Sequence, residues 1–302
     1  METYNVNSLT NTISVGKFLK NQKISSNEIR KIKRVGNLTL NGQAATTNLL
    51  IKNGDIISYN LPTNLEEIPA EFYDLEINYE DDYLIVVNKP AGIVMHPTSN
   101  NFSNTLSNYL AYYYKSKNID CGVHSVSRLD KNTSGLVLFA KKPNIQHLLA
   151  TTKLNKEYLA FVEGSYSETT GTIDLPIARK PTSIIERMVN AETGKDARTE
   201  YVQLQSYRLK NESKDIDLPN IISLVKFKLL TGRTHQIRVH SAYLNKPLVN
   251  DNLYGTPGPQ SRHALHSYKL SFIHPKTHKT IKCISKLPSD LLHIIKKYRK
   301  LD

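Results

Sequence analysis

Near the start of the chain apolar residues recur at helical spacing: Val15, Phe18 and Leu19, then Ile29 and Ile32. Residues three and four apart share a helix face, so this spacing predicts two short helices, with Ser25 or Ser26 capping the second. The pattern then changes to short apolar runs separated by turn pairs. Leu38-Thr39-Leu40 leads into Asn41-Gly42, and Ile51 to Tyr59 is interrupted by Asn53-Gly54-Asp55. These read as strands joined by tight turns. Farther on, Leu75 to Tyr79 alternates in strand fashion, and Tyr83 to Val87 is a continuous apolar strand ending at Asn88-Lys89-Pro90-Ala91-Gly92. Further strands are predicted at Gly135 to Ala140, Lys156 to Glu163, Thr199 to Gln205, Ile221 to Leu230 and Tyr268 to Ile273. Helices are predicted at Leu106 to Lys115, Ile145 to Leu154, Gln236 to Leu244 and Leu291 to Arg299, the last begun by Ser289-Asp290. Strands dominate, without regular strand–helix alternation or an internal repeat. The fold class expected is therefore α+β, built on a mixed or largely antiparallel sheet.

Charge divides the chain. Residues 1 to 61 carry eight Lys/Arg and three Asp/Glu, whereas Leu65 to Asp82 carries eight acids and no base. With Pro62 flanking this stretch and Pro69 interrupting it, this predicts a small domain over 1–61, an acidic linker over 62–74 and a large domain over 75–302. The whole chain of 302 residues has a net charge of +13, so the positive excess resides mainly beyond Tyr83. Phosphate backbones attract such a surface by counterion release, although solvated lysines that only aid solubility give the same total. No apolar run reaches the roughly 18 to 20 residues of a membrane helix. Met1 to Thr12 shows no basic and apolar leader, so a soluble, cytoplasmic protein with no membrane partner is expected. Cys121 and Cys283 give neither a disulfide framework nor a zinc spacing.

The familiar cofactor motifs are missing: no phosphate-cradling Gly-Lys-Ser/Thr loop, no Gly-x-Gly-x-x-Gly after a strand, no nucleophile elbow. No cofactor is implied. One polar loop, Ser127-Arg128-Leu129-Asp130-Lys131-Asn132-Thr133-Ser134-Gly135, runs directly into the apolar strand Leu136 to Ala140. Neighbouring cations favour the charged form of a carboxylate, which is the form a nucleophile requires. The same residues also read as a loop salt bridge. A second cluster, Gly232-Arg233-Thr234-His235-Gln236-Ile237-Arg238-Val239-His240, can grip phosphate or flank an active site, or simply begin a basic helix. His235 and His240 are five apart, off the register of helical metal pairs, so no metal site is expected.

Both clusters resemble motifs of the RluA-type pseudouridine synthase family. Arg128 to Leu136 is similar to that family's catalytic loop, which makes Asp130 the essential carboxylate. Lys156-Glu157-Tyr158-Leu159-Ala160 is similar to its second motif, with Tyr158 as the active-site tyrosine. Gly232 to His240 is similar to its third, whose arginine, here Arg238, pairs with the catalytic Asp. Further agreement comes in order: Asn88 to Gly92 with His96-Pro97, Gly194 to Thr199, and Pro247 through Asp251 to Tyr254-Gly255 with Leu265-His266. The resemblance implies isomerisation of uridine to pseudouridine in structured RNA, without a cofactor, on a flipped-out base. Under it Arg128 fills the vacated gap or holds a phosphate, Ile237 gives apolar contact, and Arg233 and His235 belong to the substrate site. Ser127 stands where the family usually has His, and Asn250 where it commonly has Gly.

The first fifty or so residues resemble the S-four type RNA-binding domain, through Val15 to Leu19, Ser25-Ser26, Gly36 to Gly42 and Asn53 to Ile57. This implies RNA contacts from Lys17, Arg30, Lys31, Lys33 and Arg34, although the basic run equally reads as a solvated helix face. The family's usual basic residue after the serines is replaced by Asn27. Family members with this module point to large-subunit ribosomal RNA as substrate and to a role in rRNA processing, with transfer RNA as the alternative. A monomer is expected. Two other readings compete: a non-catalytic RNA-binding or ribosome-assembly factor on the same fold, and a glycosidase, which needs a second acid that the loop motif lacks.

Overall fold

The structure is a computed structural model, and it describes residues 2–22, 24, 29, 32–33, 38–59, 68–98, 102–210, 218–257 and 262–301. The chain divides into two compact units, Met1–Glu67 and Ile68–Asp302.

In the first unit, strand β1 (Glu2–Asn5) is followed by β2 (Ile13–Ser14), helix α1 (Val15–Asn21), β3 (Leu38–Leu40), β4 (Gln43–Ala44), β5 (Leu50–Ile51) and β6 (Ile56–Tyr59). Ser14 caps α1 by accepting a hydrogen bond from the Lys17 N–H, and Val15, Phe18 and Leu19 turn inward. A sheet of order β1-β6-β3-β4 closes over these side chains, with Val6, Leu38, Ile51, Ile57 and Tyr59 completing the core. Asn41 and Gly42 both have positive φ, 52° and 77°, the geometry that lets a two-residue turn follow strand twist. The polar run Glu2–Asn5 showed no strand pattern. It is a strand because it pairs along its whole length with β6. Ile29, Ile32 and Lys33 are helical, and Lys17 and Lys33 are exposed. Ser25, Ser26, Arg30, Lys31 and Arg34 lie outside the described residues.

The second unit is built on one large sheet. Its elements are β7 (Glu76–Glu80), β8 (Leu84–Lys89), α2 (Leu106–Ser116), β9 (His124–Ser125), β10 (Ser134–Ala140), α3 (Pro143–Thr151), β11 (Asn155–Glu163) and β12 (Thr170–Asp174). Then come β13 (Ile177–Arg179), β14 (Arg187–Val189), β15 (Arg198–Leu209), β16 (Ile221–Leu229), α4 (Gln236–Tyr243), β17 (Leu265–Ile273), β18 (Thr280–Ile284), α5 (Ser289–Ile294) and β19 (Tyr298–Lys300). The main sheet runs β12-β15-β16-β11-β17-β10-β8-β7, with β18 on β17, β19 on β15 and β9 on β10. Its pairings are antiparallel except β10 with β17, so the mixed, largely antiparallel α+β class holds. β10 is buried at every position, consistent with its unbroken apolar sequence.

The parallel contact positions the site. Gly135 (φ 110°) lies opposite Ser267, and a β-carbon there would fall 2.3 Å from the Ser267 carbonyl oxygen. Only glycine allows the two backbones to approach so closely while the chain turns from the polar loop into β10.

The C-terminus departs from expectation. The helix predicted over Leu291 to Arg299 ends at Ile294, passes through a 3-10 turn at Ile295–Lys297, and becomes β19 on the edge of β15. Tyr298 is buried and donates its hydroxyl to Pro219 O at 3.0 Å. Strand pairing and this anchor outweigh the weak helical preference of a short polar segment. β15 also runs farther than predicted, to Leu209, through a bulge between Gln203 and Gln205.

Candidate active site

The loop from Val126 to Thr133 connects β9 to β10, and side chains from other segments hold it and the first residue of β10. The Ser127 hydroxyl accepts the Leu138 N–H at 3.0 Å, and the Thr133 N–H donates to Asp130 O at 3.1 Å. Thr133 hydrogen-bonds His263 Nε2 at 2.8 Å, and Ser134 hydrogen-bonds His266 Nδ1 at 2.9 Å. Burial drives both imidazoles toward neutrality, His263 down to about 3 and His266 to about 4. Beneath the loop, the fully buried Lys89 donates from Nζ to Pro90 O (2.9 Å), Ile93 O (2.9 Å) and Lys131 O (3.0 Å). An ammonium has three N–H donors, so all are used.

Opposite the loop, the start of α4 is locked by one amide. Gln236 Oε1 accepts from the Thr231 hydroxyl (3.0 Å) and the Arg233 N–H (2.9 Å), while Nε2 donates to Arg198 O (3.0 Å) and Thr199 Oγ1 (2.9 Å). This clamp places His235 at the N-cap in left-handed backbone, φ 58° and ψ 19°. His235 and Arg238, three apart on one helix face, both reach Asp130: His235 Nε2 and Arg238 Nη1 each lie 3.7 Å from its Oδ2.

The closer partner of Arg238 is another carboxylate. Its Nε donates to Asp251 Oδ2 at 2.8 Å and its Nη2 to Asp251 Oδ1 at 2.7 Å, the bidentate fork of a strong ion pair. The expected Arg238–Asp130 contact is thus the longer, third interaction of a guanidinium already fixed from behind. Burial opposes the Arg238 charge, but the Asp251 bonds outweigh it and hold its pKa above the ordinary value. Burial likewise works against the Asp251 charge, and Arg238 more than offsets it, leaving that carboxyl below its usual range.

Asp130, Tyr158, Ile237 and Arg238 line one cavity of about 340 Å³, together with Arg128, Arg233 and His235. All three motif segments therefore meet there. The RNA pseudouridylate synthase family model matches residues 83–243, a span that contains Asp130, Tyr158 and Arg238. The uncharacterized RNA pseudouridine synthase YjbO of Bacillus subtilis is 36% identical over 268 residues, covering 86% of this chain and 90% of that protein. The ribosomal large subunit pseudouridine synthase D of Nitrosomonas europaea is 35% identical over 246 residues, covering 77% and 67%. Among solved structures, human RNA pseudouridylate synthase domain containing 1 superposes with a TM-score of 0.59 at 25% identity, covering 77% of this chain and 91% of that one.

The chain belongs to the RNA pseudouridine synthase family. It is an isomerase that acts on uridine in RNA. In this synthase no helix among the described residues is long and apolar enough to cross a membrane.

Within the synthase cavity Tyr158 is buried beside Ile237 and Leu265. Burial and then the Asp130 charge push its phenol well above the ordinary range, with the nearby polar Ser267 opposing them. At neutral pH the hydroxyl keeps its proton, so any base role is a relay in which the oxygen takes up one proton as it gives away its own. Arg128 and Arg233 line the cavity and are exposed; Arg233 Nε donates to Asp196 O at 2.8 Å. His240, from the same motif, is away from this wall and hydrogen-bonds Thr199 Oγ1 and Leu175 O at 2.9 Å each.

The sequence does not mark Asp251, Tyr254 and His263 as site residues, although Asp251 and Tyr254 lie in a segment that resembles the family. Tyr254 stacks against Arg238, with the guanidinium carbon 5.0 Å from its ring centre, and its hydroxyl lies 2.8 Å from His235 Nδ1. Nothing in the composition near Asp251 distinguishes it from a loop carboxylate. Lys156 also lines the cavity, its ammonium pulled down by burial.

Proposed function

We propose that Asp130 is the catalytic carboxylate of this synthase and that its substrate is large-subunit ribosomal RNA. The observation that carries the first part is the convergence on one cavity of Asp130 with Tyr158, Ile237 and Arg238, drawn from three segments far apart in sequence. Uridine within a stacked helix cannot reach such a cavity, so the target nucleotide must flip out, at a cost of a few kcal/mol. Arg128, exposed at the cavity, then fills the vacated gap or holds a phosphate.

The glycosidic bond between C1′ and N1 breaks, the uracil turns, a bond from C1′ to C5 forms, the C5 proton leaves and N1 takes up a proton, so the product has the same atoms as the substrate. No electron or energy donor is consumed. Asp130 acts at the sugar as the base departs. Arg238 and His235 both approach its Oδ2, which leaves Oδ1 for the substrate. Tyr158 and Ile237 pack on the uracil, and the Tyr158 hydroxyl acts as a relay, taking up a proton from the sugar or from C5 as it passes its own to Asp130, the carboxylate whose charge acts on it. Arg233 contributes phosphate contact.

The ribosomal assignment is supported by relatives named ribosomal large subunit pseudouridine synthase D in Nitrosomonas europaea and Xanthomonas campestris. The first unit, read as an S-four type module, supplies further phosphate contacts through Lys17 and Lys33, together with Arg30, Lys31 and Arg34 of the same segment. Such contacts position RNA without reading much sequence. A cytoplasmic monomer completes this reading.

The test is incubation of wild type and Asp130→Ala with ribosomal and transfer RNA that lack pseudouridine, followed by mapping of product. Wild type forms pseudouridine in large-subunit RNA, and Asp130→Ala binds RNA but forms none. Product from Asp130→Ala at the wild-type rate refutes the catalytic assignment, and product confined to transfer RNA refutes the substrate.

A further inference from the structure

We infer that Tyr254 is a positioning residue that fixes the tautomer of His235, so that its Nε2 presents a proton to Asp130. The Arg187 N–H donates to the Tyr254 oxygen at 2.8 Å. The Tyr254 hydroxyl proton is then directed to His235 Nδ1, at 2.8 Å, and it has no other acceptor among the described residues. A ring nitrogen that accepts a hydrogen bond carries no proton. The proton of the neutral imidazole therefore resides on Nε2, the atom 3.7 Å from Asp130 Oδ2. The opposite tautomer would give the Tyr254 oxygen two N–H donors and strand its own proton.

The charged groups around His235 agree with a neutral ring. Burial disfavours the imidazolium most. Asp130 and Asp251 favour it, while Arg238 and Arg187 oppose it, and its pKa lies below the ordinary histidine value. Two N–H donors, from Arg238 and His235, thus face one oxygen of Asp130 at 3.7 Å each, and each is held from behind by a side chain of the segment that follows α4: Asp251 for the arginine, Tyr254 for the histidine. The two supports lie three residues apart and the two donors also lie three apart, so a short loop braces one helix face. Donors already oriented in this way have only that short distance to close as charge shifts on Asp130 during reaction.

The inference rests on Asp130 being the reacting carboxylate, and the experiment separates the two. Full-length protein labelled with 15N-histidine is examined by long-range proton–nitrogen correlation, with the His235 signals assigned from their loss in His235→Gln. Wild type shows a protonated Nε2 and a bare Nδ1. In Tyr254→Phe, which keeps the ring over Arg238, the Nδ1-protonated form appears, and kcat falls roughly tenfold with KM within about twofold. His235→Gln retains a side-chain N–H near the Nε2 position and has no tautomer to set. In that background Tyr254→Phe costs less than about twofold. A wild-type His235 protonated on Nδ1, an unchanged tautomer in Tyr254→Phe, or an equal loss in both backgrounds overturns the inference. Asp130→Ala, assayed in parallel, reports on the catalytic reading independently: an active Asp130→Ala sinks that reading whatever the tautomer shows.

Discussion

Asp251 holds the Arg238 guanidinium through two parallel hydrogen bonds of 2.7 and 2.8 Å, with no part of Asp251 exposed. The arginine that faces Asp130 is thus oriented before any RNA arrives. Replacing Asp251 by Asn removes the compensating charge and leaves a buried cation with one good acceptor. The variant is expected to lose about 3 to 5 kcal/mol of stability, the usual result of breaking a buried pair from one side. Its turnover should fall as the guanidinium loses its fixed direction. Denaturant titration and single-turnover assays check this, and a variant as stable as wild type would contradict it.

Gly135 predicts a backbone effect of a different kind. Its φ is positive, and a β-carbon at this position would stand 2.3 Å from Ser267 O, which leaves no relaxation short of parting β10 from β17. Gly135→Ala is expected to destabilise by more than about 3 kcal/mol. A thermal melt of the purified variant measures it, and a shift within error of wild type would show that the parallel contact is looser than described.

Lys89 makes stability depend on pH. Burial pulls its pKa from 10.5 down to about 7, with Asp130 pulling upward and Arg262 downward. Between about pH 7 and 10.5 the unfolded chain therefore holds a proton that the folded chain lacks. Stability contributed through this group rises with pH across that window, by up to about 1.4 kcal/mol per unit, and the gain is absent below pH 7. The difference in unfolding free energy between wild type and Lys89→Met, measured from pH 7 to 9, isolates the effect. A flat difference would mean that the three carbonyls hold the ammonium charged throughout.

For the first unit, reversing Lys17 and Lys33 to Glu in the full chain tests its RNA role without disturbing the core, since both side chains are exposed. If each touches a phosphate, RNA affinity falls and the slope of log affinity against log salt becomes shallower by roughly 0.7 to 0.9 per contact. The rate at saturating RNA should stay near wild type. Unchanged affinity and slope would leave this unit without a role in RNA binding.

Much of this architecture was legible in the chain. The unbroken apolar run Leu136 to Ala140 marked the central strand, and the polar loop before it marked where chemistry could sit, because alternation and turn chemistry are local properties. Asn41-Gly42 announced its turn for the same reason. Edge strands were not legible: Glu2–Asn5 and Tyr298–Lys300 owe their form to partners, β6 and β15, that lie far away in sequence. Short polar segments carry too little intrinsic preference to resist such pairing.

The candidate site divides along the same line. The sequence by itself determined which residue types stand where: a carboxylate between two cations at a strand entry, a tyrosine on a strand, an arginine three residues after a histidine. Only the tertiary structure decided who partners whom. Arg238 takes Asp251, 13 residues on, with both oxygens and meets Asp130, which precedes it by more than a hundred residues, at longer range. Electrostatic and hydrogen-bond energies depend on distance and direction in space, and on how much water has been excluded, none of which is a property of position along a chain.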